Sequence, residues 1–235
     1  MSDEQELRRR VLQANLDLVR LGLVIFTWGN ASAIDRERGV MWIKPSGVDY
    51  ARMTPEDMVP VKLEDGSVLS GKLRPSSDTA THLALYRAWP RVGGIVHTHS
   101  EYATSIAQAG VPIPAQGSTH ADYFHGDVPI TRSLTKAEVE GDYEANTGSV
   151  ILERFVQGQL DPAAIPGVLV DQHGPFSWGV TVEQAVMHAG TMEHLAKMFV
   201  HAAAVTQRPR RVPRFLLDKH YTRKHGPKAY YGQKL

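Results

Sequence analysis

Two histidines separated by one residue, His97 and His99, close the apolar run of "GGIVHTHS". In an extended chain alternate side chains share a face, so the two imidazoles would lie side by side, roughly 6.5 to 7 Å apart along the strand. That spacing suits two ligands of one metal ion, although two histidines at a strand end also read as an ordinary, partly exposed polar pair. A second apolar run, "VLVDQHGPFSWG", delivers a third histidine, His173, just before a Gly-Pro turn. Three imidazole nitrogens leave coordination positions open for substrate oxygens, as a Lewis-acid centre requires. Asp78 in "PSSDTATH" is a fourth candidate. The alternative for it is a helix-start carboxylate that favours the helix dipole.

Two Pro-bounded turns, "KPSG" at 44–47 and "RPSSD" at 74–78, bring small hydroxyl residues together with Lys44. Amides and hydroxyls exposed in such turns cradle a phosphate, and the lysine adds charge. The same residues also serve as plain turn formers.

Composition narrows what these groups can be doing. With no cysteine among 235 residues, disulfide frameworks, thiolate metal sites and cysteine nucleophiles are all excluded, which leaves His and carboxylate to hold any metal. Lys plus Arg number 26 against 25 for Asp plus Glu, a net charge of +1 that gives no general drive toward nucleic acid and makes a small molecule the expected partner. The start, "MSDEQELRRR", has no apolar stretch of the secretory kind, and Ala185 to Val205 is broken by His188, Glu193, His194, Lys197 and His201. A soluble, cytoplasmic protein without a membrane span is expected. There is no G-x-G-x-x-G, and "GSVLSGKL" falls short of a P-loop because Leu73 stands where a metal-binding Ser or Thr belongs.

The elements that must position these groups are legible in the hydrophobic pattern. Apolar residues over 4–20 recur near helical spacing and stop at Gly22, and "LVIFTWGNASAID" and "VMWIKPSGVD" read as β-rich runs around a turn at "RERG". Further strands are expected at 58–63, 94–99, 168–170 and 175–178, and helices at 77–89, 101–109, 136–142, 147–157 and 182–205. Hairpins interspersed with helices predict an α/β fold: one domain over 1–235, three αβα layers, and a largely antiparallel or mixed central sheet flanked by helices. His188, His194 and His201 on the last long helix are expected at a surface or interface. From its residues alone the basic run "KHYTRKHG" reads as a solvated tail.

"TWGNAS", "IKPSGVDY", "PSSDTATH", "GGIVHTHS", "THADYF", "PGVLVDQHGPFSWG" and "LLDKHYTRKHGPKAYYGQ" occur in order from about residue 5 to Gln233, and together they resemble the class II aldolase/adducin family. Within it the chain is similar to enzymes that invert C4 of a ketopentose phosphate by breaking and re-forming the C3–C4 bond. The resemblance implies a metal set of Asp78, His97, His99 and His173, usually holding Zn2+, with Mn2+ or Co2+ as substitutes. It implies a substrate-phosphate set of Gly29, Asn30, Ser46, Gly47, Ser76 and Ser77 with Lys44 adjacent, and Asp122 and Tyr231 as the acid/base pair. It further implies a homotetramer in which the tail, about 213–235, completes a neighbouring subunit's site, with His220 as a secondary candidate. Two other functions fit the same family. A sugar-phosphate aldolase would release its fragments, but such aldolases typically carry Glu at the place of Asp78 and lack "THADYF" and "YYGQ". A non-catalytic, adducin-like interaction domain would have lost the metal ligands that this chain keeps.

Overall fold

The computed structural model describes residues 3–231, so residues 232–235 of the tail lie outside the described residues. Helix α1 (Asp3–Arg20) has acidic residues in its first turn and Arg20 in its last, which complements the helix dipole, and it buries Val11, Ala14, Asn15 and Leu18 on one face. Asn15 is fully buried without cost because its amide is satisfied by the strand beneath: Nδ2 donates to the carbonyls of Val11 and Ala31, and Oδ1 accepts from the Ala31 amide.

Six strands, β1 (Asn30–Asp35), β2 (Val40–Ile43), β3 (Val59–Lys62), β4 (Gly94–His97), β5 (Gly167–Val170) and β6 (Gly174–Gly179), form one sheet in the order β3-β2-β1-β4-β6-β5. Every ladder is antiparallel. The remaining helices are α2 (Thr79–Ala88), α3 (Glu101–Gln108), α4 (Ser118–Ala121), α5 (Lys136–Glu140), α6 (Tyr143–Gln157), α7 (Val182–Val205) and α8 (Arg214–His225). Strand alternation divides the sheet between two cores. Met41, Ile43, Ile34 and Ile95 enter one, with α2, α3, α6 and the second half of α7, while Val40, Trp42, Ala31, Ala33 and Val96 enter the other, with α1 and the first half of α7. Helices therefore cover both faces. Helix α7 starts hard against β4, where a Cβ at Gly94 would lie 2.3 Å from Val182 Cα. Among the described residues no helix is long and apolar enough to cross a membrane.

Four local expectations change. The β-rich run at 23–28 is not a strand: Phe26 has φ 53° and Gly29 φ 81°, so the chain curls before β1 begins. Helix α6 starts at Tyr143 and not at Thr147, with Asp142 capping the Ala145 amide. The basic run expected as a solvated tail is helix α8, seated on α4. His194 and His201 are exposed, but His188 is buried and its Nδ1 donates to the Trp178 carbonyl at 2.7 Å.

Candidate active site

The antiparallel register sets Asn30 of β1 beside His97 of β4, and His97 beside Phe176 of β6. The His97 ring stacks on Phe176 with centroids 4.1 Å apart, and its Nδ1 lies 3.0 Å from the Pro175 carbonyl. A carbonyl only accepts, so Nδ1 carries a proton, which leaves Nε2 as the ligand nitrogen of this ring. Strand β4 ends at His97, so His99 lies just past it, with its ring centroid 4.9 Å from that of His97. His173, on the turn between β5 and β6, comes within 4.7 Å of His97 and 5.1 Å of His99, and Tyr143 Oη is 3.3 Å from its Nδ1.

The three histidines offer ligand atoms that all lie within 4.8 Å of one another. Burial, reinforced by neighbouring imidazoles, lowers His99 to about 4 and His173 to about 3, so both are neutral donors at physiological pH. Asp78 stands at the N-cap position of α2 but makes no capping hydrogen bond. Its Oδ2 instead accepts from Asn30 Nδ2 at 2.6 Å. Burial opposes its ionisation, yet His97, His82, His173 and the Asn30 amide together hold its carboxyl below the ordinary value. Neutral imidazoles beside an ionised carboxylate fit a divalent cation, with Asp78 in the wall and not inside the close histidine group.

The two Pro-bounded turns lie side by side. Ser46 N donates to the Arg74 carbonyl and Ser76 N to the Lys44 carbonyl, both at 2.9 Å. The Ser76 hydroxyl accepts from Asn30 Nδ2 at 3.0 Å, and the hydroxyls of Ser46 and Ser77 and the Lys44 side chain line the same cavity. Lys44 is 2% exposed, and among the described residues its Nζ reaches the carbonyls of Thr27 (3.4 Å) and Pro45 (3.2 Å) and the face of Tyr50. Burial pulls it down to about 8, against a smaller opposing effect of Asp49. A buried cation with no ion-paired carboxylate among the described residues calls for an anionic ligand. Tyr50 Oη donates to the carbonyls of Trp28 and Gly29 and ties down the neighbouring loop. A Cβ on Gly29 would lie 2.8 Å from the His97 carbonyl oxygen, so this close approach needs glycine.

One cavity of about 530 Å³ gathers Gly29, Asn30, Lys44, Ser46, Gly47, Ser76, Ser77, Asp78, His97, His99 and His173. Thr27, Trp28, Tyr143 and Glu144 complete its wall and were not anticipated. The other two anticipated residues are elsewhere. Asp122, just after α4, is bonded to His220 and Arg223 of α8, and Tyr231 lies against Arg223. Neither lines the cavity of its own chain.

Residues 9–200 match the Class II Aldolase and Adducin N-terminal domain, and the chain belongs to the class II aldolase/adducin family. It is 56% identical over 230 residues, 98% of this chain and 100% of the relative, to the L-ribulose-5-phosphate 4-epimerase UlaF of Salmonella paratyphi B (strain ATCC BAA-1250 / SPB7). Among solved structures, it superposes on an L-fuculose 1-phosphate aldolase with a TM-score of 0.77 at 25% identity, covering 94% of this chain and 95% of that one. An L-fuculose 1-phosphate aldolase from Glaciozyma antarctica PI12 gives a TM-score of 0.75 at 19% identity, covering 94% and 82%.

Proposed function

We propose that this chain is a metal-dependent L-ribulose-5-phosphate 4-epimerase that interconverts L-ribulose 5-phosphate and D-xylulose 5-phosphate. The observation that carries this reading is the 56% identity, across nearly the whole chain, to a relative of that name. The cavity supports it, because an anion-binding half adjoins a cluster of imidazoles.

The hydrogen on C4 is not acidified by the C2 carbonyl, so inversion there requires carbon–carbon cleavage. A base takes the C4 hydroxyl proton, the alkoxide pair closes to an aldehyde, and the C3–C4 pair passes to the enediolate of dihydroxyacetone. The second fragment is glycolaldehyde phosphate. After the aldehyde rotates, C3 attacks its other face and an acid returns a proton to the new C4 oxygen. In this reading Asp122 and Tyr231 are the two proton-transfer groups, one for each face. Ser46, Ser76, Ser77, Gly47, Gly29 and Lys44 hold the phosphate while the fragment turns, which is where remote binding energy is useful. His97, His99 and His173, with Asp78 beside them, would hold a divalent cation, zinc in the first instance, which when bound supplies positive charge for the enediolate oxygens.

Since Asp122 and Tyr231 do not line the cavity of their own chain, the reading includes a homotetramer of single-domain, cytoplasmic subunits. In it the tail of one subunit completes the site of the next. A class II aldolase is the second reading, supported by the aldolase structure at 25% identity. Incubation with L-ribulose 5-phosphate separates the two. D-xylulose 5-phosphate as the accumulating product supports the epimerase, net release of dihydroxyacetone and glycolaldehyde phosphate supports the aldolase, and turnover to neither removes both.

A further inference from the structure

The Asp122 carboxylate is held unevenly. Among the described residues its Oδ1 accepts from His220 Nδ1 (3.0 Å), Arg223 Nε (3.2 Å) and Arg223 Nη2 (3.0 Å), whereas Oδ2 accepts only from Arg223 Nη2 (3.0 Å). The carboxylate side chain is 14% exposed and that of Arg223 24%, so the pair is mostly covered. Arg223 also holds the end of the chain. Its carbonyl accepts from the amides of Tyr230 (2.9 Å) and Tyr231 (3.1 Å), and its guanidinium carbon lies 4.8 Å from the Tyr231 ring centroid. One arginine therefore touches both proposed proton-transfer groups.

We infer that Arg223 is a positioning residue that keeps Asp122 ionised with Oδ2 open to receive a proton and fixes the Tyr231 phenol beside it. This inference rests on the reading of Asp122 and Tyr231 as the acid/base pair. The chemistry follows from the donor count. An acceptor-only carboxylate satisfies a planar guanidinium fork on both oxygens, whereas a protonated acid would set its own O–H against a donor. Asp122 thus rests as the base. Tyr231, whose ring faces Arg223 and Lys224, is then left the role of the O–H donor of the pair.

Other charged groups on the surrounding elements are engaged elsewhere. Asp127 pairs with Arg211, His120 bonds the Gly126 carbonyl, and Asp218 is shared by His125 and Arg214. His225 donates to the Asp122 carbonyl and not to its carboxylate, and Lys224 lies over Tyr123. His220 and Arg223 are therefore the groups that set the protonation of Asp122. Among the described residues His220 supplies one of three donors to Oδ1, and Arg223 supplies the only donor to Oδ2.

The test is to follow the Asp122 carboxyl by carbon NMR in the metal-loaded, full-length enzyme, assigned with Asp122→Asn, and to compare Arg223→Gln, Arg223→Lys and His220→Asn. Loss of the arginine should raise the proton affinity of Asp122 about tenfold or more. It should move the acid limb of the kcat/KM profile upward by the same amount and leave metal content unchanged. Arg223→Lys should restore part of the shift, and it decides the matter if Arg223→Gln fails to assemble. An unmoved Asp122 titration and acid limb, in a protein where Asp122→Asn is inactive, overturns the role of Arg223 alone. Wild-type turnover in Asp122→Asn overturns the acid/base reading on which it rests.

Discussion

Asn30 Nδ2 lies 2.6 Å from Asp78 Oδ2 and 3.0 Å from Ser76 Oγ, so one buried amide joins the carboxylate beside the histidine cluster to the Pro-bounded turns across the cavity. An ionised carboxylate can only accept, so the atom facing Asp78 is the amide nitrogen, and Asn30 Oδ1 is left buried without a partner among the described residues. The free function of this side chain is an acceptor, suited to a hydroxyl and not to a phosphate oxygen. Asn30→Asp would set a second carboxylate against Asp78 in the same buried place. It should cost about 1 to 3 kcal/mol or more at neutral pH, with the deficit shrinking as the pH falls and the pair takes up a proton. Denaturant unfolding from pH 8 to pH 5 measures this, and a deficit that does not change with pH would count against the contact.

The histidine triad makes a prediction about metal binding. Protons compete for imidazole nitrogens only near their own pKa, and burial has lowered His99 to about 4 and His173 to about 3. Protonation of His99 and His173 should therefore not limit zinc occupancy as the pH falls through 6.5, where an ordinary histidine charges, and should weaken it only on approach to 4. Single alanine replacements of His97, His99 and His173 should each remove most of the bound metal while the far-UV spectrum stays native. Elemental analysis showing full occupancy in all three would dismiss the site.

If Lys44 meets the substrate phosphate as proposed, substrate affinity depends on pH. Its folded value is lowered from 10.5 to about 8, so the cation is present below 8 and lost as the pH rises through that value. KM for the sugar phosphate should rise above pH 8, and Lys44→Met should show a raised KM with no such dependence. Replacing Ser76 and Ser77 together by alanine should raise KM and also lower kcat, because a poorly held phosphate lets the aldehyde fragment turn without returning. Unchanged steady-state kinetics in the double variant would remove these turns from substrate binding.

Much of this site was legible because strand ends announce themselves. Apolar runs stop at His97 and near His173, and α7 was bounded correctly because its apolar pattern persists between Thr181 and Thr206. What was missed lies where burial and pattern separate. Helix α8 buries only Leu217, so no apolar stripe marks it, and its contacts with α4 run through charged side chains such as Arg223. Tyr143 and Glu144 sit in the first turn of α6, before its apolar periodicity begins at Thr147. The available signal was Asp142, whose side chain caps that turn. The stretch from Leu23 to Trp28 has strand composition but bends toward the cavity, which local propensity does not reveal.

The placement of Asp122 and Tyr231 decides how a shared site must be tested. Both are bound to Arg223 of the same chain, and neither lines the cavity that chain supplies. If α8 docks on a neighbouring subunit, each working site takes its cavity from one subunit and both proton-transfer groups from another. Mixing Asp122→Asn subunits with Tyr231→Phe subunits should then restore nothing, since every donor subunit brings one defective group. Mixing His97→Asn subunits, which keep Asp122 and Tyr231, with Tyr231→Phe subunits, which keep the cavity, should restore activity. A random mixture of equal parts pairs an intact cavity with an intact tail at about one quarter of interfaces, so recovery should approach about one quarter of wild-type turnover per site. Mixed tetramers are verified by native mass spectrometry before the assay. Recovery in the first mixture would place Asp122 and Tyr231 on different subunits at each site, and no recovery in the second would place both groups in their own chain's site or outside the chemistry.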